Sequence, residues 1–96
     1  MPPAARIGDN HTGHDACGAR PIIAASPNVV INGRPAGRVG DIHAIHSCVL
    51  HPPHHDNILD GSATVLINSK RAARIGDPTT YGAVIVQGSE NVLIGG

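Results

Sequence analysis

Apolar residues along this chain fall in short runs bounded by turn formers. Val29-Val30-Ile31, Val65-Leu66-Ile67 and Val92-Leu93-Ile94 are three such runs. Runs this short read as strands, because a helix needs a longer apolar periodicity. Asn32-Gly33 follows the first run and Asn68-Ser69 the second. Asn-Gly between apolar runs is the strongest short-range hairpin signal, since a type I′ turn needs positive φ at both central residues. Each turn leads into a returning segment that ends in R-x-G-D. Residues 27–41 read PNVVINGRPAGRVGD and residues 63–77 read ATVLINSKRAARIGD. Pro35 stands at the start of its returning strand, where a missing donor is tolerated.

The ends of the chain are half repeats. It begins with PPAARIGD (Pro2 to Asp9), the back half of a unit, and ends with SENVLIGG (Ser89 to Gly96), the front half. Joined tail to head they make a third unit, so the first and last strands are expected to pair. Three equivalent units that close on themselves predict a single all-β domain over residues 1–96 with pseudo-threefold symmetry, sharing a core that one hairpin would lack. The connectors repeat less strictly. HHDNILDGS (54–62) aligns with YGAVIVQGS (81–89), and the longest connector carries HSCVLHPPHH. The Gly-Asp pairs read as turn devices, glycine supplying positive φ and aspartate binding nearby backbone. Arg6, Arg38 and Arg74 read as structural or base-facing polar groups.

Composition sharpens this reading. The chain has no Phe, no Trp and one Tyr, with Gly 12 and Pro 8, so its core is built from Ala, Val, Ile and Leu and helices are disfavoured. A core this small calls for a staple or a partner. Net charge is zero; with no basic stripe or aromatic platform, nucleic-acid binding loses its usual footprint. No apolar run approaches a membrane span, and the N-terminus lacks signal-peptide regions, so the expected location is the cytoplasm or a route needing no such signal. Cys17 and Cys48 form no C-x-x-C and are expected as thiols or metal ligands rather than a disulfide.

The repeats resemble the PAAR-repeat family, named for a Pro-Ala-Ala-Arg motif. PAAR stands at Pro3 to Arg6, and RPAGR (34–38) and KRAAR (70–74) are degenerate copies. The resemblance covers essentially the whole chain. It implies a small cone of β-hairpins with a metal-stapled tip. Its base caps the trimeric β-helix of a valine-glycine repeat (VgrG-like) spike protein, one chain per trimer, in a type VI secretion system or related contractile machine. It also implies a part that pierces a membrane without residing in it, with effector cargo travelling alongside. Longer relatives carry toxin domains, whereas this chain, ending at its third repeat, resembles the effector-free form. The apolar triplets, or Val84-Ile85-Val86, are the candidates for the base.

All seven histidines lie between His11 and His55, and G-D-x-H-x-x-H occurs twice, at 8–14 and 40–46. A threefold axis would bring His14 and His46 together at the tip. The third equivalent is Tyr81 or Gly82; the resemblance implies a Cys at the position of Tyr81, from which this sequence departs. The family site usually takes a histidine from the long connector, and the Gly-Ser alignment puts His54 there. Zinc prefers four His and Cys donors. His14, His46 and His54 give three. Cys48 is favoured as the fourth, with Cys17, His51, His55 or water as alternatives, and iron is the alternative metal. His11 and His43 form a second equivalent pair, expected as surface turn residues. No enzyme activity is expected. A zinc hydrolase would need a base, for which Asp15 and Asp56 flank the ligands. A metal-buffering module without a spike partner is the remaining reading.

Overall fold

The computed structural model describes residues 1–14, 17–48 and 51–96, with His51 described by its backbone only. The described residues form no α-helix. Six short strands make three separate antiparallel hairpins: β1 (Val30–Ile31) with β2 (Arg34–Pro35), β3 (His46–Cys48) with β4 (His51–His54), and β5 (Leu66–Ile67) with β6 (Lys70–Arg71). One 3-10 turn covers Thr80–Gly82. Asn32 and Asn68 take φ of 55° and 54°, as the Asn-led turns require.

Strand pairings and isolated bridges come in equivalent threes, offset as the sequence repeats are. Val30 pairs with Pro35, Leu66 with Arg71 and Leu93 with Pro3, so the last strand does lie against the first. Arg6 pairs with Ala36, Arg38 with Ala72 and Arg74 with Ala4, each bridge linking one unit to the next. A third set joins Ile22 to His43, Ile58 to Thr79 and Ile85 to His11. The molecule measures 37 × 23 × 23 Å, two equal short axes about one long one.

The core is built of two layers. One layer holds Ile31, Ile67 and Ile94 with Ala4, Ala36 and Ala72, and the half-buried Val29, Val65 and Val92 pack on it. The next holds Ile22, Ile58 and Ile85 with Ala5 and Ala73. A fully buried isoleucine contributes about 1.5–3 kcal/mol relative to an exposed one. With no large aromatic to fill the centre, the small alanines let three backbones approach the axis together.

Polar groups repeat with the same symmetry. Arg6, Arg38 and Arg74 each hold the aspartate three residues on through both guanidinium and backbone N–H, at 2.8–3.1 Å. The intervening Gly8, Gly40 and Gly76 have φ of 90–93°, which only glycine adopts without strain. Arg6 also donates to Asn32 and Arg38 to Asn68, each at 3.0 Å, fastening one unit to the turn of another. Both the arginines and the Gly-Asp pairs are structural, as the sequence indicated.

Gly61 passes close to neighbouring backbone and Gly18 does not. A Cβ on Gly61 would lie 2.5 Å from the Ala72 carbonyl oxygen, whereas one on Gly18 would meet nothing within 4 Å. Gly61→Ala is therefore expected to destabilise the fold by about 1–3 kcal/mol in urea denaturation. Gly18→Ala should leave the midpoint unchanged.

Candidate metal centre

Beyond the Ile22–Ile58–Ile85 layer lie the histidines. Each bridge of the third set continues from an isoleucine to His43, Thr79 or His11, the residues two places after Asp41, Asp77 and Asp9. His11 and His43 are fully buried, with rings 4.5 Å apart. This corrects their expected place on surface turns. The connectors fold back across the next unit and cover the rings instead of leaving them at the bend.

Three residues further on, His14 and His46 meet. Their Nε2 atoms are 3.1 Å apart, and His54 Nε2 lies 2.9 Å from each. His46 reaches this point at the start of β3, and His54 pairs with it from the end of β4. Tyr81, where the third unit would contribute, takes φ of 66° and lays its ring against His14 and His54, at centroid distances of 5.4 and 4.2 Å. It walls the cluster. Its unit sends no imidazole.

The cysteines depart from expectation. Cys17 and Cys48 are joined as a disulfide rather than standing as thiols, with Cα atoms 5.2 Å apart. The pairing of His14 with Cys17 and the β3–β4 hairpin carry the two residues to the same place, which spacing along the chain did not reveal. Cys17 lies with His14, His46 and His54 in one group of donor atoms, all within 4.8 Å of one another, and Cys48 is not in it. His55 is exposed and outside the group. The side chain of His51, and Asp15 altogether, lie outside the described residues.

Hydrogen bonds assign the tautomers. His46 Nδ1 lies 3.0 Å from the Gly18 carbonyl and His54 Nδ1 3.0 Å from the Pro52 carbonyl. A carbonyl only accepts, so both imidazoles carry their proton on Nδ1 and turn an unprotonated Nε2 inward. Two lone pairs facing each other at 2.9 Å repel unless a cation lies between them. Imidazoles with their outer N–H held by carbonyls are the usual arrangement of metal-binding histidine. The donor set therefore fits a divalent transition metal. Zinc suits imidazole nitrogen, and so does iron.

Asp56 sits beneath this cluster, fully buried. Nothing in the repeat pattern marks it, since the equivalent positions hold Arg20 and Ala83. Its Oδ2 accepts from Thr79 Oγ1 at 3.1 Å and faces His11 Nε2 at 3.3 Å. His11 Nδ1 accepts the Gly13 N–H at 2.9 Å, so its proton is on the nitrogen that faces Asp56.

Burial pushes His43 down to about 4 and lowers His11 from the ordinary imidazole value. Both are folded as neutral rings, whereas in the unfolded chain they take protons below about pH 6.5. The unfolded state binds more protons between those values, so stability is full above pH 6.5 and falls as pH drops toward 4. The loss from His43 alone is about 3 kcal/mol. Urea midpoints across that range should show it, and His43→Gln should flatten the slope.

A family model described as PAAR motif matches residues 2–44 and 12–87, nearly the whole chain. The chain belongs to the PAAR motif family. Two curated proteins of Pseudomonas aeruginosa also resemble this PAAR chain: the NAD(P)(+) glycohydrolase toxin Tse6 and the (p)ppApp synthetase toxin Tas1. Each is 44% identical over 80 residues, covering 78% of this chain but only 19% and 18% of the respective toxin. The chain thus spans about a fifth of the length of these relatives.

Proposed function

We propose that this PAAR protein is the metal-stapled tip of a type VI secretion spike, or of a related contractile machine. It would cap a trimeric valine-glycine repeat spike with one chain per trimer. The observation that carries the reading is the set of threefold pairings: a single chain here presents three near-equivalent faces about one axis. A monomer built this way can seat on a trimer without leaving one subunit unmatched.

The two ends differ as a tip and a base should. At one end His14, His46 and His54 would hold the metal, whose binding energy adds directly to folding energy and locks the loops against fraying. At the other, Val30, Leu66 and Leu93 are exposed by 62%, 62% and 50%, equivalent apolar positions beside the Ile31–Ile67–Ile94 layer. Of the two candidate base segments, these triplets fit. Ile85 is fully buried among the isoleucines next to the histidines.

Delivery outside the cell would follow from the machine, with effector domains or separate cargo travelling along. The two toxin relatives support that delivery role. No described helix is long and apolar enough to cross a membrane. Catalysis in the tip is not part of the proposal, because the carboxylate nearest the cluster among the described residues, Asp56, is sealed from solvent.

Sedimentation of the chain with the purified trimeric spike tests the proposal. Saturation at one chain per three spike subunits is expected. Binding of three chains per trimer, or no binding, would overturn the capping role.

A further inference from the structure

We propose that Asp56 Oδ1 is the fourth ligand of the metal, making the centre three imidazoles and one carboxylate. This rests on the metal-tip reading above and supplies the donor that reading left open. Oδ1 lies 3.7, 3.6 and 3.5 Å from the Nε2 atoms of His14, His46 and His54. Being nearly equidistant from all three, it stands on the axis of their triangle.

The cage has the dimensions of a tetrahedral site. With nitrogens 2.9–3.1 Å apart and the oxygen at those distances, one point on the axis lies about 2.0 Å from each nitrogen and about 2.1 Å from Oδ1. Those are the lengths zinc takes to imidazole and to carboxylate. An oxygen half an ångström nearer or farther would not fit.

Oδ1 is also a buried acceptor with no hydrogen-bond partner, on a side chain with no exposed surface. A carboxylate oxygen in that state costs several kcal/mol unless something positive meets it. The other oxygen accepts from Thr79 Oγ1 and faces His11 Nε2 at 3.3 Å, which fixes the carboxylate plane and aims Oδ1 at the histidines. On Nε2 of His46 and His54 there is no proton to give it. Metal charge satisfies the nitrogens and the oxygen together.

The cysteine alternative is weaker here. Cys17 is near the nitrogens, but its sulfur is joined to Cys48. The thiolate is the form that ligates metals, and a disulfide sulfur has none to offer. Tyr81 offers the cluster a ring and no imidazole or thiol, and Asp56 stands below the triangle, so the fourth donor comes from its inner face.

X-ray absorption at the metal edge of the zinc-loaded chain tests this without any substitution. A single nitrogen/oxygen shell near about 2.0 Å is expected, and a sulfur shell near about 2.3 Å would overturn the assignment. Competition with a chromophoric chelator is the second arm. Asp56→Asn should weaken zinc binding by about 100-fold or more, while a Cys17→Ser/Cys48→Ser double variant stays within about threefold. Unchanged affinity in Asp56→Asn would overturn the role of Asp56 while leaving the three-histidine metal site standing. Absence of zinc from the unaltered chain would instead overturn the metal reading itself. Circular dichroism of each variant separates lost affinity from lost fold.

Discussion

Treatment with a strong chelator is expected to lower the melting temperature of this protein by more than about 10 °C, and zinc to restore it. The expectation follows from scale. Structural zinc contributes on the order of 10 kcal/mol of apparent binding energy to folding, and in a domain this size each kcal/mol is worth roughly 4–8 °C. Only part of that need appear for the shift to be large. His46→Ala should reproduce the effect in metal-replete buffer. It removes one corner of the triangle and leaves the Gly18 carbonyl without its donor. His55→Ala is the control, since that exposed ring is outside the cluster; its effect should stay within about 0.5 kcal/mol. Differential scanning calorimetry measures all three. A chelator-treated protein that melts where the untreated one does would remove the staple from the account.

The second large effect lies at the opposite end. A Val30→Lys/Leu66→Lys double variant is expected to weaken binding to the spike trimer by about 100-fold or more with little change in melting temperature. The two side chains are each 62% exposed, so charge there costs the isolated fold little. In a base pressed against a trimer, two of three equivalent apolar contacts would instead become buried, unpaired ammonium groups. Surface-captured trimer and titrated variant give the affinity, and the calorimeter gives the fold. Full affinity in the double variant would move the base elsewhere on the molecule.

Repetition explains which features of this protein are readable from its residues. Ile31, Ile67 and Ile94, the three Arg-Asp pairs and the pairing of the first strand with the last all recur at matched offsets, so one alignment places them together. His14, His46 and His54 were found the same way, two by an identical motif and one by the Gly-Ser register. What repetition does not mark was harder to see. Asp56 aligns with Arg20 and Ala83, so its place on the axis has no signature in the sequence. The burial of His11 and His43 is set by connectors crossing from one unit to the next, which a local reading as turn residues misses. Thr79, their equivalent in the third unit, was the available clue, since a polar trio on a threefold axis faces inward. The union of Cys17 with Cys48 joins residues 31 positions apart, for which spacing carries no information.

Three imidazoles on the pseudo-threefold axis are proposed to hold one metal ion. Native mass spectrometry of the untagged chain tests this most directly. The account predicts a mass greater than that of the polypeptide by one divalent ion, lost in His14→Ala and in His46→Ala and kept in His55→Ala. A folded chain of metal-free mass, purified without chelator and incubated with zinc, would contradict it.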